Sequence, residues 1–232
     1  MGSKYSASVG RPKLSSKQIL EDAAAELFLE QTYTGTTIDQ VARRAGVSRN
    51  TFFNYFGSKS DLLWVDVDTA LDALGAALDA LGAALAAASA VTAEPSRSAA
   101  TPASEPAATF AARIDTVCAA LAQVAHQHPH SRVPLGFTQR EIMGTSAELQ
   151  ASGLIRMSRA MSLIERSIGA PAAPGDTAPR GTDPLVVRSF AAAVVAAAAA
   201  GAMHWASAGV ARGELADDIE RAIRPVCSGF GA

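Results

Sequence analysis

Arg49 and Asn50 stand directly after Ser48, which itself follows Gly46-Val47. Arginine and asparagine can form paired hydrogen bonds with base edges in the major groove, arginine with guanine and asparagine with adenine. That chemistry requires both side chains to leave the first turn of a helix together. Ser48 is the residue type that caps such a turn, because its hydroxyl accepts from backbone N–H groups that have no partner in the helix.

The residues around this pair have the features needed to hold it. Thr37 is placed to cap a short helix from Ile38 to Ala45, with Ile38, Val41 and Ala42 on one face. Ala42 is small where two helices must cross closely. Gly46 suits a left-handed turn, and Val47 buries it. A third helix is expected from Ser48 to Phe56, polar on one side and aromatic on the other, with Phe52 and Phe56 facing the core. An earlier helix, from Ser15 or Ser16 to about Gln31, repeats apolar residues four apart: Ile19, Ala23 and Leu27, with Leu20, Ala24 and Phe28 beside them. The spacing therefore predicts a three-helix helix-turn-helix unit over residues 1–58.

In combination, Thr37, Ala42, Gly46-Val47-Ser48, Thr51, Phe56, Lys59 and Leu62-Leu63 resemble the TetR family of bacterial repressors over about residues 11–64. The resemblance implies a phosphate contact for Thr37 at a helix N-terminus and base contacts for Arg49 and Asn50. It implies phosphate contacts for Thr51, Tyr55 and Lys59, with Arg11 and Lys13 following the backbone or minor groove. Three positions depart from the family pattern. Phe53 stands where a tyrosine is common, Asn54 is short and free to meet a base instead, and Thr32 stands where glycine is usual.

Charge agrees with a polyanion partner at one end only. Residues 1–64 hold eight Lys/Arg and six Asp/Glu, and the first four basic residues, Lys4 to Lys17, precede the first acid, Glu21. Residues 65–232 hold twelve arginines against sixteen acids. Apolar residues make up 49% of 232, enough for a buried core.

The remainder, 59–232, reads as an all-α ligand-binding and dimerisation domain. A long helix is expected from near Lys59. It carries an internal repeat, Ala70–Ala76 recurring at Ala77–Ala83, with a leucine seam at Leu71, Leu74, Leu78, Leu81 and Leu85 and close-approach glycines at Gly75 and Gly82. Mobile loops are expected at 89–108 and 169–183, rich in Pro, Ala, Ser and Gly. Further helices are expected at about 109–127, 131–143, 145–168, 184–210 and 214–226. Phe110, Ile114, Val117, Leu121, Phe137, Met143, Leu154, Met157 and Met161 are candidates to line an apolar effector cavity. Each also suits an ordinary core.

The family resemblance implies a homodimer through the helices at about 184–210 and 214–226, bound to near-palindromic double-stranded operator DNA and released by a small molecule. Trp205 suits that interface, a cap on the pocket, or the ordinary core. Phe52–Phe56 together with Trp64-Val65-Asp66 resembles the branch of mycofactocin-type regulators, which respond to fatty acyl-coenzyme A. Arg140, Arg156 or Arg159 would then meet its phosphates.

Other classes find less support. There is no P-loop, dinucleotide fingerprint or Gly-x-Ser-x-Gly, so neither catalysis nor a cofactor is expected. A metal-responsive regulator using His126, His128 and His130 stays open as an alternative, although Pro129 interrupts the cluster and a polar helix end explains it equally; no metal site is expected. A redox-responsive regulator using Cys118 and Cys227 also stays open. Both cysteines sit on apolar faces without flanking lysine, which favours buried, inert thiols and no disulfide framework. Ser189–Ala211 contains no charged residue but is mostly alanine, which favours an internal helix over a membrane span. With no signal peptide evident, the chain reads as cytoplasmic.

Overall fold

The computed structural model describes residues 16–92, 105–127, 135–169 and 183–231. Arg11, Lys13, His128 and His130 lie outside them, as do the central parts of both expected loops. The fold is all-α, and among the described residues there is no strand.

Helix α1, Ser16–Gly35, runs four residues past its expected end by continuing across a break. At the break Gln31 leaves helical geometry and Thr32 takes φ 66°, ψ 164°. This bend turns Tyr33 inward, where its ring meets Phe28 edge-on at 5.2 Å. Helix α2 is Ile38–Arg44 and helix α3 is Arg49–Phe53, shorter than expected because the chain leaves the helix before Phe56. A 3-10 turn at Ser60–Leu63 replaces the expected start of the fourth helix. The Asp61 carboxylate accepts from the Ser58 N–H at 3.0 Å, and Trp64 departs from helical geometry, so helix α4, Val65–Thr92, begins only afterwards.

Helix α5 is Glu105–Gln127. Both margins of the loop expected at 89–108 are therefore helical, 89–92 closing α4 and 105–108 opening α5. The single helix expected at 131–143 is two short ones, α6 (Leu135–Thr138) and α7 (Arg140–Met143), ended by Gly144 at φ 64°. Helix α8 is Ser146–Gly169. Helix α9, Pro184–Ser207, opens as expected on proline, with the Asp183 carboxylate accepting from the Leu185 N–H at 2.8 Å. A 3-10 turn, Gly209–Ala211, leads to helix α10, Leu215–Gly231, which runs through Pro225.

Two main apolar clusters result. The first joins α1, α2 and α3 through Leu20, Leu27, Phe28, Val41, Phe52 and Phe56, and it also takes in Met143 and Leu149 from the body. The second lies between α4, α5, α8, α9 and α10 around Leu78, Ile114, Val117, Ile164, Phe190 and Val194. Within the leucine seam, Leu74 and Leu78 are buried, and Gly75 lets Leu163 of α8 approach. Gly82 has no such neighbour.

The cysteines overturn their expectation. Cys118 on α5 and Cys227 on α10 form a disulfide, their Cα atoms 6.5 Å apart. The two helices run side by side and antiparallel, as the nearby pair His126–Glu220 also shows, its Nε2 and Oε1 2.6 Å apart. Residues 109 positions apart therefore meet, which neither cysteine's local sequence could reveal.

Val65–Ala87 and Pro184–Ser207 are both long and apolar enough to cross a membrane by length and composition. Each directs one face into the second cluster, α4 through Leu74 and Leu78, α9 through Phe190, Ala191 and Val194.

Candidate nucleic-acid interface and its coupling to the body

Local capping builds the interface. The Thr37 N–H donates to Gln40 Oε1 at 2.7 Å, and the Gln40 N–H returns to Thr37 Oγ1 at 3.3 Å. This reciprocal pair satisfies two N–H groups at the start of α2. Thr37-x-x-Gln40 is legible in the sequence as a capping box, so Gln40 is a residue that a reading confined to Thr37 misses. At the other end of α2, Gly46 takes φ 68° with no atom within 4 Å of where a Cβ would stand. It is required for its backbone alone. The Val47 N–H reaches Ala42 O at 2.9 Å and the Gly46 N–H reaches Arg43 O at 3.1 Å, a paired closure that aims the chain into α3.

On α3, Ser48 Oγ accepts from the Thr51 N–H at 3.0 Å and shares a hydrogen bond with the Thr51 hydroxyl at 2.9 Å. Phe52 is fully buried and Phe56 nearly so, which anchors the helix from beneath. Arg49, Asn50, Asn54 and Tyr55 are exposed on the outer side, together with Phe53. The Arg49 guanidinium lies 5.3 Å from the centre of the Phe53 ring, and its Nη1 donates to Asp39 of α2 at 2.7 Å. Phe53, which lacks a hydroxyl for phosphate, instead supports Arg49. Asp39 is a partner of Arg49 that pattern reading did not single out. Arg44 ties α2 to α1 through Glu26 and Glu30.

Lys59 is turned partly inward. Its Nζ donates to Tyr33 O and Thr36 O, both at 2.7 Å, and lies 4.0 Å from the centre of the Tyr33 ring. Burial holds its pKa below the usual lysine value. Two of its three donors thus close the end of α1, leaving one for a phosphate.

A joint links this head to the body. The Trp64 indole N–H donates to Ser152 Oγ at 2.8 Å, and Gly153 leaves space for the ring. Arg156 of α8 donates to Asp68 at 3.0 Å and to Asp61 at 3.2 Å, beneath the same Trp64 ring. Arg159 pairs with Asp72. Burial of the Tyr33 phenol, with the negative charge of the Glu148 carboxylate of α8 nearby, pushes its pKa well above the usual value. Asp61, Asp68, Glu148 and Ser152 carry no local motif, and only the crossing of α8 over α4 makes them a unit.

Of the nine candidate cavity residues, Phe110, Ile114, Val117, Leu121, Met157 and Met161 come together in the second cluster. The other three do not. Met143 is buried in the first cluster, Phe137 packs edge-on against Trp64, and Leu154 is 68% exposed on α8. Arg140 reaches Ser207 Oγ at 3.1 Å. Trp205 is core, its N–H donating to Gly213 O at 2.7 Å. His126 is occupied by Glu220, and among the described residues no group of three or more His, Cys, Asp or Glu could hold a metal.

A capped two-helix reader with an exposed Arg-Asn pair, seated on an all-helical body, is the architecture of a DNA-binding transcription regulator. Residues 20–63 match the family model of bacterial regulatory proteins of the tetR family, and residues 111–231 match that of the MftR C-terminal domain. The chain belongs to the TetR family of transcriptional regulators, with a C-terminal domain of the MftR type. It is 38% identical over 66 residues to the mycofactocin biosynthesis transcriptional regulator MftR of Mycobacterium tuberculosis, a stretch covering 28% of this chain and 33% of that protein. It is 48% identical over 50 residues to the regulator HbdR of Aromatoleum, covering 22% of each. The matches thus span a third or less of these relatives' lengths. Among solved structures, NalD of Pseudomonas aeruginosa, the secondary repressor of a multidrug efflux pump, aligns over 92% of this chain and 95% of its own at 20% identity and a TM-score of 0.45.

Proposed function

We propose that this protein is a homodimeric repressor that binds a near-palindromic operator and releases it when a long-chain acyl-coenzyme A enters the body. The observation that carries the DNA reading is the exposure of Arg49 and Asn50 on the first turn of α3 while Phe52 and Phe56 anchor that helix. Two such helices must reach successive major grooves about 34–36 Å apart, which calls for a second copy. An outward stripe on α9, with Leu185, Ser189, Ala196, Ala200 and Met203 at helical spacing, supports pairing through that helix. The reading takes residues 1–58 as the DNA-binding unit and 59–232 as the effector and dimer unit. It places the protein in the cytoplasm without catalysis or a membrane tether.

The effector reading is supported by the match of residues 111–231 to the MftR C-terminal domain. It is also supported by the two flexible methionines, Met157 and Met161, that join Phe110, Ile114, Val117 and Leu121 in one cluster. Arg156 and Arg159 are committed to aspartates, so Arg140 is the arginine of the three best placed to meet phosphate. Release follows only if the effector prefers a conformer whose heads no longer fit the operator. The path available is α8, which touches both the cluster and Trp64.

A gel-shift titration on the DNA upstream of its own gene, with and without palmitoyl-coenzyme A at fixed salt, tests both parts. A specific shift that Arg49→Ala abolishes and the thioester reverses is expected. A specific shift untouched by the thioester would overturn the effector, and a wild-type shift no more specific than that of Arg49→Ala would overturn the operator reading.

A further inference from the structure

We infer that Cys118 and Cys227 form a reversible thiol–disulfide site, oxidised by peroxide, whose state decides whether the last turn of α10 is clamped over the apolar core of the body. The bridge is placed where it would have most effect. Pro225 has no N–H to give, so α10 loses a backbone hydrogen bond two residues before Cys227, and Gly229 follows. The turn beyond Pro225 is therefore weak as a helix by itself. Side chains hold it instead. Val226, Cys227 and Phe230 pack on the second cluster, where the Phe230 ring meets that of the fully buried Phe190 at 5.4 Å. The covalent tie runs to α5, the helix that also carries Ile114, Val117 and Leu121. Two turns further along α5, His126 and Glu220 join the same pair of helices by an exposed contact, which a protein spared the bridge would still retain.

Neither cysteine is fully buried, so a small oxidant can reach the pair. One thiolate attacks a peroxide oxygen, giving a sulfenic acid and one hydroxide, which takes up a proton as water. The second thiol then attacks the sulfenic sulfur and expels a second water. Two thiols lose two electrons and two protons to one hydrogen peroxide, and two waters form. A small dithiol reverses the reaction by two exchanges.

The clamp's consequence for effector entry rests on the function proposed above, but the clamp itself is read without DNA or effector. The full chain is reduced with dithiothreitol, or oxidised with one equivalent of hydrogen peroxide, and alkylated under denaturing conditions. Two labelled cysteines are expected after reduction and none after oxidation, with full recovery on re-reduction. Hydrogen exchange at the amides of residues 226–231 is expected to be about tenfold or more faster in the reduced form, and in Cys118→Ser and Cys227→Ser under either condition. Palmitoyl-coenzyme A is expected to bind the reduced form several-fold faster. Thiols that peroxide leaves unbridged, or equal exchange in both forms, would overturn the inference. A difference in exchange with no thioester binding in either form would sustain the clamp and overturn the effector reading alone.

Discussion

The Arg49 guanidinium is held between two neighbours, its Nη1 2.7 Å from the Asp39 carboxylate and its Cζ 5.3 Å from the centre of the Phe53 ring. An exposed ion pair of this kind adds little stability. On the function proposed above, its value lies in limiting where Arg49 points before DNA arrives. Asp39→Ala is expected to leave the fold intact and non-specific DNA affinity unchanged or higher, since an acid near phosphate is removed. The ratio of specific to non-specific binding is expected to fall. Arg49→Ala should lose about 1–3 kcal/mol of discrimination at one base position per half-site. Competition shift assays at one salt concentration measure both.

Lys59 joins the end of α1 to the start of the body by donating to Tyr33 O and Thr36 O. Lys59→Ala leaves both carbonyls without that charged donor and is expected to cost about 1–3 kcal/mol of stability. A melt in denaturant reads this directly. A DNA effect without a stability effect would mean that phosphate, not the carbonyls, is its main partner.

Tyr33 is buried against Phe28, and both that burial and the nearby Glu148 carboxylate disfavour the phenolate. Its folded pKa is raised, so the folded state keeps a proton that the unfolded chain gives up. The stability this confers is whole below the ordinary tyrosine pKa of about 10 and is lost as pH climbs above it. Melting temperatures from pH 8 to pH 11 should therefore fall more steeply for the wild type than for Tyr33→Phe. Parallel curves would show that Tyr33 ionises as freely in the folded protein as outside it.

Thr32 holds φ 66°, ψ 164°, a backbone region that is almost reserved for glycine. The strain is of order 1–3 kcal/mol. Glycine gives back part of the gain through its greater freedom in the unfolded chain. Thr32→Gly is expected to be stabilising by about 1 kcal/mol, with DNA affinity preserved, when compared with wild type by chemical denaturation.

Gly201 shows the opposite case. A Cβ there would stand 2.6 Å from Asp218 O and 3.0 Å from Ile219 Cα, both backbone atoms of α10. Alanine's better helix propensity, about 1 kcal/mol, cannot compensate for driving two helices apart. Gly201→Ala is expected to lower the melting temperature by several degrees and to weaken self-association measured by analytical ultracentrifugation.

Local chemistry by itself determined the reading head. Apolar spacing four residues apart placed α1, Thr37 and Ser48 marked two helix starts, and Gly46 marked the turn between them. All of these act over a few residues, so a linear reading captures them. The alanine-rich run of α9 favoured an internal helix, but only the tertiary structure showed that Gly201 meets α10 of the same chain. Tertiary structure alone decided the partners of Lys59, the pairing of Arg156 with Asp61 and Asp68, the placement of Met143 in the first cluster, and the bridge from Cys118 to Cys227. These pairs lie 23 to 109 residues apart where their separations are measured. Charge, burial and thiol chemistry at such sites depend on which helices cross, and no local pattern encodes that crossing.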